Sequence, residues 1–464
     1  LRSKALRATG QVALLYDMIK TLLVDPVPAE NLMIAAQALS HTQDKKTVAR
    51  LAGLARQESP DIAEAWRIET RSLALIGLGL PAAHGQSVLD QLSSAVSEGT
   101  VNFSMRFRHE AVDQENALSN AAASTVRTRM TLQSAAVEGF SGVFEVDNVS
   151  TFGSDSYDSF VLDEYRGTHS IIADPVGTEV NQAYLQYQAT ENFKARLGTQ
   201  RILHAAQRFV GGVGWRQNEQ TFDGLTASYG DDAFTLDYSY IWNVNRIFNT
   251  SKPSAQMGDL DSDNHFLLAS TKGDWGTLSG FVYALDFADA GALSSMTAGL
   301  SYAGDIGPAS VLASVARQND YANNPVDYSA NYINLEAGLP VGPARVIAGV
   351  EILSSDDGRK AFTTPLATLH KWQGWTDLFL GTPASGIEDR YLTVSGSLGK
   401  VGLSATYHDF RAEFGSADYG GEWDIVANYA INEMVSTQLK YATFDSDGYA
   451  VDTDKLWIMV NVVF

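Results

Sequence analysis

The sequence predicts an all-β protein: a transmembrane antiparallel β-barrel of about eighteen strands, behind a helical or disordered N-terminal prefix. Three observations carry this. In the last nine residues, Leu456, Ile458, Val460, Val462 and Phe464 share one parity and Trp457, Met459, Asn461 and Val463 the other. Period two marks a strand with one apolar face. From residue 101 onward such runs recur, joined by alternately short and long connections. Charge within the runs keeps to one parity, so the other face is free to meet lipid.

Composition narrows the alternatives. Tyr, Phe and Trp number 19, 20 and 8, which suits many strands. Cys is zero, so neither disulfides nor thiolate metal sites are available. A net charge of −21 disfavours nucleic acid as a partner. No apolar run reaches the roughly 18 residues of a membrane helix. The longest, 72–83, follows Arg67 and Arg71 and precedes Ala83-His84-Gly85, the pattern of a signal peptide over 67–85 cut ahead of Gln86; a short buried helix is the alternative.

Before it, 14–23, 28–40 and 46–56 read as short amphipathic helices broken by Pro26, Pro28 and Pro60. Residues 1–66 are expected to be a mis-called upstream segment or one cut off with the signal, or else a helical prefix. A linker spans 86–100, and the barrel spans 101–464.

Strands are expected at 101–112, 124–134, 139–150, 178–189, 192–201, 220–229, 233–245, 263–271 and 276–287. The second half gives 295–303, 309–320, 330–339, 344–353, 390–398, 402–412, 421–430, 434–444 and 456–464. Eight tight turns and nine loops join them, the longest loop being 354–389. An even strand number with turns at one rim and loops at the other is the pattern of bacterial outer-membrane barrels. The closing strand should pair with the first, because lipid cannot satisfy a free strand edge.

Parity assigns the faces. Val101, Phe103, Met105 and Phe107 oppose Arg106, Arg108 and Glu110; Val126, Met130 and Leu132 oppose Arg127 and Arg129. Phe140, Phe144 and Val146 oppose Glu145 and Asp147, and Phe193, Ala195 and Leu197 oppose Lys194 and Arg196. A charge on the lipid face costs about 2–4 kcal/mol at the midplane, so the charged parity lines the lumen. Lumen cations are then Arg106, Arg108, Arg127, Arg129, Lys194, Arg196, Arg345 and Lys440, with Glu110, Glu145, Asp147, Asp237, Glu336 and Glu351 beside them. The same residues fit two readings: a cross-strand charge ladder that stiffens the wall, or a cationic ring that selects anions.

One block resembles the outer-membrane alginate-export porin family. It comprises Asp174-Pro175-Val176-Gly177-Thr178-Glu179-Val180-Asn181-Gln182-Ala183-Tyr184, then Leu197-Gly198-Thr199-Gln200-Arg201. Arg208-Phe209-Val210-Gly211-Gly212-Val213-Gly214-Trp215-Arg216-Gln217-Asn218-Glu219-Gln220-Thr221-Phe222-Asp223 and Asn243-Val244-Asn245-Arg246-Ile247-Phe248 continue it. Thr364 to His370 and Gly374-Trp375 look like the same family's long loop. The resemblance implies an eighteen-stranded barrel passing an anionic uronic-acid polymer through an Arg-lined constriction, carried here to Arg127, Arg129, Arg196, Arg201, Arg216 and Arg246. The departure is the acidic balance of the chain, much of it in loops (Asp155, Asp158, Asp163, Glu164, Asp259, Asp261).

Other motifs carry less. Gly211-Gly212-Val213-Gly214 lacks the following Lys-Ser/Thr of a phosphate loop; a tight loop folded toward the lumen is expected, with Trp215 for sugar stacking and Arg216 for carboxylates. Asp259, Asp261 and Asp263 have calcium-like spacing, but Asn264 and Ser270 stand where an EF-hand needs Gly and Glu, so only a weak metal reading survives. Ser404 and His408 hint at a barrel hydrolase, yet share the lumen parity, out of a lipid substrate's reach. No cofactor and no enzyme activity are expected.

The expected function is passive passage of an anionic polysaccharide or oligosaccharide. The alternative is a general or differently selective porin, and more remotely a barrel enzyme or adhesin. Expected partners are outer-membrane lipid and the outer-membrane assembly machinery, whose terminal signal Phe464 resembles.

Overall fold

The computed structural model describes residues 94–161, 167–248 and 257–464. The expectations for 1–66 and 67–85, with Asp163 and Glu164, lie outside the described residues.

One antiparallel sheet closes on itself. Its first half runs β1 (Thr100–Gln114), β2 (Ala121–Gln133), β3 (Phe140–Ser156), β4 (Gly177–Thr190), β5 (Phe193–Gln200), β6 (Thr221–Gly230), β7 (Phe234–Asn245), β8 (Asp259–Gly273) and β9 (Gly276–Leu285). Then come β10 (Ser295–Ile306), β11 (Ala309–Asp320), β12 (Ser329–Val341) and β13 (Ala344–Leu353). A separate small hairpin, β14 (Ser355–Asp356) with β15 (Lys360–Ala361), interrupts the order. The ring resumes with β16 (Ile387–Leu398), β17 (Val401–Arg411), β18 (Asp418–Ala430), β19 (Val435–Ser446) and β20 (Thr453–Val463).

β13 pairs directly with β16, and β20 pairs with β1 from Ser104↔Val463 to Gln114↔Thr453. Eighteen strands therefore leave no free edge, as a bilayer demands of a sheet. The tightest turns carry Gly307, Gly342 and Gly399 at φ near +60°, where a Cβ would be strained.

The parity rule holds on the outside. Leu300, Leu335, Leu392, Leu439 and Ile458 are exposed, while their inward neighbours such as Trp457 are buried. An apolar belt around a closed antiparallel barrel is a bilayer-facing surface, and for this architecture the bilayer is the bacterial outer membrane.

Two expectations need correction. β3 runs on to Ser156 and β8 begins at Asp259, so Asp155, Asp259 and Asp261 belong to strands rather than loops. Asn245↔Asp259 and Asn243↔Asp261 are ladder pairs. There the acids face outward and the apolar Val244 and Leu260 face inward, which inverts the alternation while the backbone pairing continues. The inward face is also not polar all round. Phe222, Phe266, Phe281, Tyr283, Tyr332 and Phe410 point inward and are buried, packed with Ile202, Val210, Phe362, Leu366 and Phe379 of two inward-folded loops. A ring this wide cannot fill its own bore with wall side chains; these loops supply the missing volume.

Candidate functional site

The two loops, 201–220 and 354–386, are joined before either meets the wall. Val210 and Leu366 form a parallel bridge. Gly211 N donates to Leu366 O at 2.8 Å, Thr368 N to Gln207 O at 3.0 Å, and Gln220 Nε2 to Leu366 O at 3.0 Å. Gly211 has no room for more: a Cβ would lie 2.4 Å from Thr368 Oγ1 and 2.9 Å from Thr368 N. The glycine run is thus a tight inward loop, as its sequence suggested.

Period two on β1 and β2 turns four guanidinium groups inward, with Arg106 directly across the ladder from Arg127. Arg106 Nη1 donates to the carbonyls of Gly214 (2.9 Å), Trp215 (3.3 Å) and Arg216 (3.2 Å), and its Nε to Asn461 at 3.1 Å. Arg108 binds Asp174 at 2.8 Å, donates to Trp215 O, and lies 4.5 Å over the Trp215 ring. Arg129 holds Asp147 at 2.7 Å and Glu219 at 2.9 Å. Arg201 reaches Glu219 at 2.6 Å and Glu145 at 3.0 Å. Burial pushes the Glu219 carboxyl up, but Arg129, Arg201 and Arg127 more than offset it and leave it at about 2.

Arg216 is buried between Glu110 (3.0 Å) and Asp377 (2.8 Å). Arg208 is buried against Glu351 (2.6 Å), Thr364 (2.7 Å) and Gln373 (3.2 Å). Most lumen arginines therefore fasten the loops to the wall. The charge-ladder reading accounts for them better than an open cationic ring does. Trp215 and Arg216 belong to this packing; expected as sugar-stacking and carboxylate-binding groups of an open constriction, they are instead enclosed by it.

Arg127 differs. It is 6% exposed, it pairs with Glu219 Oε1 at 3.7 Å, and Nε and Nη1 have no hydrogen-bond partner among the described residues. Such a group is costly unless something completes it.

The remaining candidates scatter. Arg196 Nε donates to Gln186 at 2.9 Å and the guanidinium lies 5.0 Å from the Tyr184 ring, with no carboxylate of the described residues in salt-bridge range. Lys194 lines a cavity of about 520 Å³ at the turn rim with Glu191, Asp231 and Asp237. Arg246, 4.5 Å over the Phe248 ring, lines a cavity of about 110 Å³ toward the loops, with Asp147, Glu179, Asn181, Glu219 and Asp223. Arg345 is exposed on β13, bonded to Ser310, and does not join the others. Asp259, Asp261 and Asp263 stand exposed on alternate residues of β8, roughly 6–7 Å apart along the strand. Among the described residues no three acid or histidine groups are gathered around one point where they could hold a metal. His408 is taken up by Asp389 at 2.9 Å.

Sequence reasoning missed Asp174, Glu219, Asp377, Glu422, Asp424 and Lys455. The parity rule, applied to β18, would have found Glu422 and Asp424 opposite Trp423 and Ile425. Loop acids carry no such signal.

No protein-family model matches the chain, and no curated protein does. Solved structures match well. OccK3 (OpdO) of Pseudomonas aeruginosa aligns at TM-score 0.61 and 13% identity, over 82% of this chain and 99% of that one. OccAB4 of Acinetobacter baumannii aligns at TM-score 0.61 and 12% identity, over 79% and 98%. P. aeruginosa OpdK, solved with vanillate, aligns at TM-score 0.61 and 11% identity, over 80% and 99%. These neighbours are outer-membrane porins of the Occ/Opd group, not alginate exporters. At such identity they establish a shared fold: the closed eighteen-stranded porin barrel.

Proposed function

We propose that this protein is a passive outer-membrane channel that passes small anionic solutes, recognised through a carboxylate at Arg127. One observation carries the reading: among the described residues, lumen-facing Arg127 makes no hydrogen bond through Nε or Nη1 and holds only a long ion pair to Glu219 at 3.7 Å, amid arginines most of which are tightly taken. A solute carboxylate that displaces Glu219 from Arg127 supplies the missing acceptors, in the fork geometry guanidinium favours. Arg196 and Lys194 continue the cationic wall toward the turn rim. The structure of OpdK with vanillate, a small carboxylate on the same fold, supports the size class.

Of the sequence expectations, this favours the differently selective porin over the polymer exporter. A polyuronate needs a continuous bore, and here the two loops pack across the lumen. Passage needs no covalent chemistry, so the reading is not enzymatic.

Planar-bilayer reversal potentials in a salt gradient test it. Anion preference is expected, with Arg127→Gln reducing it severalfold; cation preference, or indifference to Arg127→Gln, would refute it. Concentration-dependent blockade by oligouronate but not by neutral oligosaccharide would bring the saccharide reading back.

A further inference from the structure

Besides the clamp on β13, both inward loops meet the wall beside β1, β19 and β20. There the indole of Trp215 stacks on His370, centroids 4.3 Å apart and planes 6° from parallel. Lys440, projecting inward from β19, puts its ammonium 3.4 Å from the ring centroid of Trp375, 4.1 Å from Trp215 and 5.3 Å from Trp457. Three aromatic faces around one desolvated ammonium make a strong cation site, and its resident is a wall residue of the barrel itself.

The hydrogen bonds fix the protons. Lys440 Nζ lies 2.6 Å from His370 Nε2. The Asp377 carboxylate can only accept, so Nδ1 carries the ring proton and Nε2 is left to accept from Lys440. The ring proton is donated to Asp377 Oδ1 at 2.7 Å. Asp377 Oδ2 takes Arg216 at 2.8 Å and Lys455 at 3.3 Å. A second proton on His370 has nowhere to go: an Nε2–H would point at the Lys440 ammonium.

We infer that this assembly is an acid-released latch that pins the two constriction loops to the barrel wall. It goes beyond the channel reading and rests on it only for the conductance readout. His370 stays neutral while latched. Burial, reinforced by Lys440 and Arg216 against the pull of Asp377, holds it well below the usual histidine range. Once the loops lift and the ring is wetted, it regains an ordinary pKa of about 6.5. The sign follows by linkage: the latch is fully favoured above about pH 6.5, and each unit below that shifts the balance toward release by up to about tenfold, until the latched pKa is reached.

The other charged groups at the latch come from every neighbouring element. Glu110 of β1 binds Arg216, and Asp174 stands 4.0 Å from it. Arg108 caps the far side of Trp215. On β18, Glu422 accepts from the backbone N–H groups of Trp375 (2.5 Å) and Thr376 (2.8 Å), and Asp424 from Trp375 N at 3.4 Å. None of these accepts a proton from His370 Nε2, which faces Lys440.

The test uses the purified full chain, in bilayers for conductance and in detergent for tryptophan emission, from pH 8 to pH 4.5. The latch predicts that conductance rises below about pH 6.5, with an emission change as Trp215 leaves the imidazole stack. His370→Gln, which cannot titrate, should flatten both curves. His265→Gln, changing an imidazole on the outer face of β8 away from both loops, should keep them. Retained heat-modifiable gel mobility shows that the variants fold. Emission reports even if the channel does not conduct, so failure of the channel reading is distinguishable from failure of the latch. Flat wild-type curves, or a response that survives His370→Gln, would overturn the inference, as would a response lost only in His265→Gln.

Discussion

Consider Arg208→Leu. Arg208 is 4% exposed and spans from loop 201–220 to Glu351 on β13, with Thr364 and Gln373 of the other loop on its remaining nitrogens. Glu351 is 1% exposed and also accepts from Tyr332 at 2.6 Å and from Gln373. Removing the guanidinium leaves a buried carboxylate with neutral donors only. Breaking one partner of a buried pair costs about 3–5 kcal/mol. At 1.4 kcal/mol per decade, that multiplies the population with detached loops by roughly a hundredfold to a few thousandfold. The barrel itself, held by its ladders, should survive. Arg208→Leu is therefore expected to raise single-channel conductance and noise while heat-modifiable mobility stays intact. Arg208→Leu combined with Glu351→Leu should recover most of the loss, since an apolar replacement of both partners is close to neutral. Wild-type conductance in the single variant, or a double variant no quieter than the single, would refute the claim that this ion pair clamps the constriction.

Other substitutions separate fastening from selectivity. Arg196→Glu removes a cation that holds no carboxylate, so ion preference should shift severalfold in reversal-potential measurements with no change in noise. Gly211→Val drives a side chain into Thr368, where a Cβ already falls within 3 Å of backbone; the stitched loops should part, seen as faster limited proteolysis within 201–220 and 354–386. Trp457→Ala empties a fully buried position whose indole N–H has no partner to lose. About 3–5 kcal/mol of packing should go, read as a lower temperature of heat-modifiable mobility.

The strand number, the rims and the outer face were legible because each follows from a local rule. Leu456 to Phe464 reveals its lipid side by alternation alone, and Arg127 beside Val126 needs no partner to declare its face. Strand ends above the bilayer were not legible: Asp259 pairs with Asn245 facing outward, while the apolar Val244 and Leu260 face inward, the reverse of the rule that holds in the bilayer. The constriction was legible only in part. Parity found Arg106, Arg108, Arg127 and Arg129, yet what each does depends on acids far along the chain. Asp174 meets Arg108, and Asp377 meets Arg216, only because two loops turn inward. Nothing in the neighbourhood of either acid announces that turn, so Arg216 looks like a free ligand and proves to be a clasp.

The stitching of loop 201–220 to loop 354–386 bears on how such a channel could be re-engineered or could diverge. Val210, Gly211, Gln207 and Gln220 grip Leu366 and Thr368 largely through backbone atoms. Grafting either loop alone onto another barrel of this size would leave those groups unmet inside the bore. Transplanted together they form a cartridge, and the wall needs only to offer the few receptors that hold it. Solute preference in such a scaffold is thus a heritable unit split across two distant stretches of sequence, and recombination that separates them should yield barrels that assemble yet leak.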